Sequence, residues 1–190
     1  MNKEKRAHCD KCHRPLKSCL CAHVKPVEIQ TPITILQSKD EAKHPFNTAK
    51  FGPLASDKIR IIKSDDITEE IIDDLTSKES FLLFKNEHSR PISKSDLPKG
   101  EMIVLDGTWK KAKGVYFKWP KLSSIPCYHL EEDQRTIYSS IRKSCGEEHL
   151  STLEAIGMTL KALGELNENS YEELISPLKK LIEQQEAFKK

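Results

Sequence analysis

The chain has 190 residues, 37% of them apolar and 32% charged, and its 31 basic and 29 acidic side chains leave a net charge of +2. That length suits one domain with a small appendage, and no run approaches the roughly 18 consecutive apolar residues that a membrane span needs. A charge balance so near neutral neither demands nor excludes a nucleic-acid partner, because clustering decides that.

The first ten residues, MNKEKRAHCD, have basic side chains but no apolar segment behind them, so no secretory leader is read there. A cytoplasmic setting, in which thiols stay reduced, is therefore expected. Residues 9–21, CDKCHRPLKSCLC, hold Cys9, Cys12, Cys19 and Cys21. A C-x2-C pair grips a metal on one tight turn, and the C-x-C pair returns two more sulfurs to complete a tetrahedral set. Two disulfides fit a reducing compartment poorly, so the spacing predicts structural zinc, with His8, His13 and His23 nearby but not needed. Cys127 and Cys145 are isolated and read as ordinary thiols.

Beyond the cysteines, residues 33–37 (ITILQ), 59–63 (IRIIK), 80–84 (SFLLF), 101–105 (EMIVL) and 125–130 (IPCYHL) are short apolar runs expected to be strands. Residues 44–56 read as a loop entering a short helix, 65–75 as a helix, and 86–100 as a polar loop with two prolines. A helix is expected from Thr108 to a stop near Pro120. Residues 151–166 carry Leu153, Ile156, Leu160 and Leu163 at helical steps, and Ser151 with Glu154 forms a capping-box signature. The tail from 170 to 188 is helical again, with Pro177 marking a kink or a restart. This alternation predicts an α/β fold with a mostly parallel sheet, in which ligands bind beyond the carboxyl ends of the strands.

One such end is Asp106-Gly107-Thr108-Trp109. Glycine lets backbone approach a ligand, threonine can cap the next helix, aspartate accepts hydrogen bonds or a proton, and tryptophan offers a stacking face. An Asx-turn followed by a capped helix explains the same four residues without a ligand. After it come Lys110, Lys111, Lys113, Lys118 and Lys121 with no acid among them, either a solvated helix face or a basic patch.

The motifs taken together resemble the DTW-domain family of tRNA-uridine aminocarboxypropyltransferases. Its D-x-T-W stands as Asp106, Thr108 and Trp109. The C-x2-C…C-x-C set, ILQ…E…NT over 35–48, P-x-L-x-x-I-P over 120–126, IRK over 141–143 and ST-x-EA over 151–155 follow the family in order. The resemblance runs from about residue 9 to 165. It implies a fold related to SPOUT-type methyltransferases, with a C-terminal trefoil knot that sequence pattern alone would never suggest. On this reading an N-terminal zinc module, 1–28, precedes a catalytic domain, 29–190.

The reaction implied is transfer of the 3-amino-3-carboxypropyl group from S-adenosylmethionine to N3 of a uridine in tRNA. Asp106 would accept the N3 proton or else attract the donor's positive charge. Leu36, Gln37, Leu83, Phe84, Leu105, Gly107, Thr108 and Trp109 would line the cofactor site, joined by Arg142, Ser151, Thr152 and Glu154. Asn47 and Thr48 would bound it or cap a helix. Lys110, Lys111, Lys113, Arg142 and Lys143 would meet RNA phosphates, which position RNA without reading its sequence. Tyr138 stands one residue too far from Arg142 for the family's Y-x-[LI]-R, and the first loop, residues 37–45, lacks the His-Pro that the family often carries directly after the glutamine. Other readings are a SPOUT-like methyltransferase, an rRNA-directed relative, or a catalytically silent zinc-ribbon RNA-binding protein. No stretch marks an oligomer interface.

Overall fold

The computed structural model of the protein describes residues 7–93, 95–131, 136–137 and 150–187. Six strands, β1 Ile33–Gln37, β2 Ile59–Lys63, β3 Ser80–Leu83, β4 Arg90–Pro91, β5 Glu101–Asp106 and β6 Cys127–His129, form one sheet in the order β2-β1-β5-β3-β6-β4. Every pairing is parallel. The expected α/β class and the five expected strands are all present. β4 lies inside the stretch read as a polar loop; it is two residues long and sits at the sheet edge, where a proline without an N–H is tolerated.

The helices are α1 Lys39–Ala42, α2 Gly52–Ala55, α3 Glu69–Ser77, α4 Trp109–Lys118, α5 Thr152–Ala162 and α6 Glu168–Ala187. Short 3-10 turns cover Leu16–Ser18, Cys21–His23, Ala49–Phe51 and Pro120–Ser124. α6 continues through Pro177, so the restart allowed by the sequence does not occur.

β1 and β5 are buried along their whole length, as central parallel strands covered on both faces should be. Alternation of side chains divides their residues between two cores. Ile33, Ile35, Phe81, Met102 and Val104 pack with Leu153, Ile156 and Leu160 of α5 and Leu174 and Leu181 of α6. Leu36, Leu82, Ile103 and Leu105 pack on the other side with Ile72 and Leu75 of α3 and Ala112 and Val115 of α4. Cys12 and Leu20 are fully buried in the first core, so the cysteine segment and the α5–α6 layer share one apolar interior.

Gly100 leads into β5 with φ at 82°, and a Cβ there would stand 1.9 Å from the Glu79 carbonyl oxygen. Neither the dihedral nor the backbone neighbour can yield cheaply, so Gly100→Ala is expected to cost about 2 kcal/mol or more in chemical denaturation. Restoration of full stability by a compensating change at a side chain would contradict the backbone clash.

At the amino end of the sheet, Glu101 is buried and takes hydrogen bonds from Thr34 and ion pairs from Lys78 at 2.8 Å and Arg60 at 3.2 Å. Burial alone would raise its carboxyl, but the hydrogen bonds from Lys78 and Thr34 and the charges of Lys78 and Arg60 outweigh burial and hold it below the ordinary value of 4.5. A depressed carboxylate stabilises the fold above its unfolded value, and that contribution fades as the pH falls through the lower folded value. Glu101→Gln is therefore expected to lower stability at neutral pH and to flatten its decline in acid. Unfolding midpoints measured across the acid range test this, and parallel curves for the two proteins would contradict it.

Candidate functional site

The site is assembled where β1 and β5 end together. Gln37 and Asp106 are register partners, and the Ser38 N–H donates to the Asp106 carbonyl at 2.9 Å. Paired residues of neighbouring strands project to the same face. The Gln37 side-chain amide accordingly donates to Asp106 Oδ2 at 2.7 Å, and Asp106 is only 5% exposed. Thr152, the first residue of α5, donates its hydroxyl to the other oxygen, Oδ1. Asp106 thus joins β1, β5 and α5 beside the amino end of a helix, where the backbone dipole favours a carboxylate.

The amino end of α5 is fixed by further contacts. Ser151 and Glu154 form the expected capping box: the Ser151 hydroxyl accepts from the Glu154 N–H at 3.3 Å, and Glu154 Oε2 accepts from the Ser151 N–H at 2.8 Å. The Glu154 carboxylate, 1% exposed, also accepts from the Thr136 hydroxyl at 2.9 Å and the Ile137 N–H at 2.9 Å. Thr48 Oγ1 accepts from the Leu153 N–H at 3.5 Å, and Asn47 donates its amide to the Glu41 carbonyl at 2.7 Å. Glu154, Asn47 and Thr48 are thus buried struts of the site.

The four residues of the D-G-T-W segment do not form one patch. Asp106 points to the α5 face, whereas Trp109 stacks on Phe84 at 5.0 Å and 27°, and Phe84 belongs to the core on the α4 face. Phe84 in turn lies 5.2 Å from Tyr116, and Lys113 sits over the Trp109 ring at 5.3 Å. Trp109 keeps 47% of its surface exposed, so this row ends in an open aromatic face with a cation over it. Thr108 occupies the N-cap position of α4, but its side chain makes no capping bond; its carbonyl accepts the first helical N–H groups instead. Gly107 has φ at 156°, and a Cβ there would lie 2.9 Å from Ser38 Oγ.

Ser38 was not singled out in the sequence. Its hydroxyl is buried and has no hydrogen-bond partner among the described residues, and it lies against Gly107, whose backbone carries no side chain. A buried polar atom left unpaired next to an uncovered backbone is what a polar ligand would complete. The polar exit of β1 was the available signal. Leu36, by contrast, is fully buried in the core, with Leu105 at 9% beside it, while Leu83 packs partly buried against the opposite core. Leu36 and Leu105 serve packing through their side chains and could meet a ligand only through backbone.

Of the lysines read as phosphate contacts, Lys110 and Lys113 are exposed, but Lys111 is engaged by Asp40 at 3.0 Å and ties α4 to α1. Lys121 likewise pairs with Asp73 and Glu69. Arg142 and Lys143, with Tyr138 and Cys145, lie outside the described residues.

The sulfurs of Cys9, Cys12, Cys19 and Cys21 lie within 4.8 Å of one another, all four as free thiols, and can hold a metal ion. Cys9 and Cys21 stand 3.6 Å apart and Cys12 and Cys19 3.7 Å apart. A tetrahedron with metal–sulfur bonds of about 2.3 Å has edges of about 3.8 Å, so the donor set fits. His13 adopts a positive φ of 55° to turn the chain between the pairs. None of the described helices is long and apolar enough to cross a membrane.

The DTW domain family model matches residues 6–186. Among curated relatives, the tRNA-uridine aminocarboxypropyltransferase 2 of Macaca fascicularis is 27% identical, over 94% of this chain and 63% of its own length. The Drosophila melanogaster protein of the same name is 28% identical over 95% of this chain and 76% of its own. The Arabidopsis thaliana tRNA-uridine aminocarboxypropyltransferase A is 28% identical over the whole chain and 87% of its own. The chain thus spans under two thirds of the macaque relative's length. No solved structure matches.

Proposed function

Because this chain belongs to the DTW domain family, we propose that it transfers the 3-amino-3-carboxypropyl group of S-adenosylmethionine to N3 of a tRNA uridine, releasing methylthioadenosine. Its curated relatives are named as tRNA-uridine aminocarboxypropyltransferases, which supports the transferred group and the uridine acceptor. The observation that carries the reading is the Gln37–Asp106–Thr152 constellation, with Gln37 and Asp106 buried and Thr152 half-buried, at the carboxyl end of a central parallel strand, the position where such sheets bind ligands.

Bound S-adenosylmethionine supplies a sulfonium with three electrophilic carbons, of which the carboxypropyl γ-carbon has to be presented to the nucleophile. Ser38 Oγ and the bare backbone at Gly107 are the groups that would hold the donor. Asp106, oriented by Gln37 and Thr152, is the carboxylate that accepts the uridine N3 proton, a transfer that such a group accelerates only when held within hydrogen-bond reach. Trp109, stacked on Phe84 on the face of the sheet opposite Asp106, offers an aromatic surface to another part of the RNA, and Lys110 and Lys113 extend a cationic edge toward phosphates. Arg142 and Lys143 are assigned to the same RNA or to the donor's carboxylate by resemblance.

The ion of the cysteine cluster is read as structural zinc, because four thiolates leave no open coordination position. The reading also includes a 1–28 zinc module before a 29–190 catalytic domain, the SPOUT-like trefoil knot, and a cytoplasmic location.

The test is incubation with unmodified tRNA and S-adenosylmethionine, followed by mass analysis of nucleosides and small products. Methylthioadenosine together with an aminocarboxypropyl gain on uridine is the expected result. S-adenosylhomocysteine would reassign the protein to methyl transfer, and neither product would leave an RNA-binding protein without this chemistry.

A further inference from the structure

Arg14 lies inside the cysteine loop with only 7% of its surface exposed. Its donors reach uncharged acceptors: Nε to the Ser18 carbonyl at 2.9 Å, Nη1 to the Pro45 carbonyl at 2.8 Å, and Nη2 to Gln184 Oε1 at 3.4 Å. Among the described residues no carboxylate forms an ion pair with it. A guanidinium buried among neutral groups is costly unless an anion stands close by. The groups beside it that can become anionic are the cysteine sulfurs: Cys12 is two residues before it, the Cys9 N–H donates to its carbonyl at 2.8 Å, and the Ser18 carbonyl that its Nε holds belongs to the residue before Cys19.

The charge count separates the possible states of the cluster. Two disulfides, or four thiols, are neutral and leave Arg14 uncompensated. Four thiolates around a divalent ion keep a net negative charge of two, which Arg14 would balance in part. Arg14 also reaches outward. Pro45, which it holds, precedes Asn47 and Thr48, and Thr48 receives the Leu153 N–H at the start of α5, next to Thr152 and Asp106.

We propose that Arg14 is the positioning residue of the cysteine metal centre, balancing part of the excess negative charge of the loaded tetrathiolate and tying that centre to the 43–48 segment that supports the start of α5. The proposal rests on the metal reading above, and the experiment keeps the two apart. Zinc content and cysteine oxidation state are measured first on the full chain; an ion-free protein or recovered disulfides would overturn the metal reading itself.

Zinc affinity is then measured by competition with a chromophoric chelator for the wild type, Arg14→Gln and Arg14→Lys. Amide hydrogen exchange is followed at Asn47 and Leu153 in the same three proteins. Arg14→Gln is expected to bind zinc roughly 10- to 100-fold more weakly. Arg14→Lys keeps the charge and is expected to recover most of that affinity. Because lysine cannot span the three acceptors, both variants are expected to exchange Asn47 and Leu153 about tenfold faster than the wild type. Equal zinc affinity in Arg14→Gln would overturn the charge role. Unchanged exchange in zinc-loaded Arg14→Lys would overturn the tether.

Discussion

Replacing Asp106 with alanine is expected to reduce kcat by about 100- to 10,000-fold, the range that positioned proton transfer supplies, while donor affinity stays largely intact. The carboxylate is buried and held on both oxygens by Gln37 and Thr152, so it is presented in a single orientation. Alanine also leaves those two donors unpaired, at about 1–3 kcal/mol each. Asp106→Asn therefore accompanies it, since the amide keeps the shape and removes the base. A loss of turnover in both variants, with donor binding measured by calorimetry unchanged, fits proton acceptance. Donor binding lost in parallel with turnover would instead make Asp106 an electrostatic anchor for the donor's positive charge. Near-normal turnover in Asp106→Asn would remove the residue from the chemistry.

Glu154→Ala is expected to destabilise the fold by about 3 kcal/mol or more, the largest stability effect of any single site residue. One carboxylate accepts from the Ser151 N–H, the Thr136 hydroxyl and the Ile137 N–H, and it is 1% exposed. Loss of half a capping box costs about 1 kcal/mol, and each buried donor left without a partner adds to it. Glu154→Gln retains an acceptor and should fall between alanine and the wild type. Urea denaturation gives the comparison, and a cost below about 1 kcal/mol for alanine would mean that water replaces the carboxylate at those donors.

The features legible in the sequence were those written locally. Central parallel strands are buried on both faces, so ITILQ and EMIVL appear as uninterrupted apolar runs. The capping box spans four residues and the cysteine cluster thirteen, short enough for spacing to define geometry. The contacts that define the candidate site are not local: Gln37 and Asp106 are 69 positions apart and meet only because β5 lies beside β1. Nothing in D-G-T-W announces that its aspartate and tryptophan serve opposite faces of the sheet. That follows from the alternation of the strand and the direction in which α4 departs. Thr108 was open to reading as a side-chain cap because threonine favours that position, yet its backbone alone performs the task.

The strand that carries Asp106 is also the one that joins β1 to β3 in the sheet. β1 and β3 flank it and do not touch each other in the strand order, and β4 pairs only with the later β6, so the first hundred residues supply the β1–β2 pair and two strands, β3 and β4, whose partners are still to come. On a ribosome the facing edges of β1 and β3 stay open until residues 101–106 have emerged and slid between them. Open parallel edges recruit other chains, and pairings between strands distant in sequence form slowly. A nascent chain halted before residue 101 should therefore be a client for chaperones, and release from them should begin with the synthesis of the segment that brings Asp106 beside Gln37.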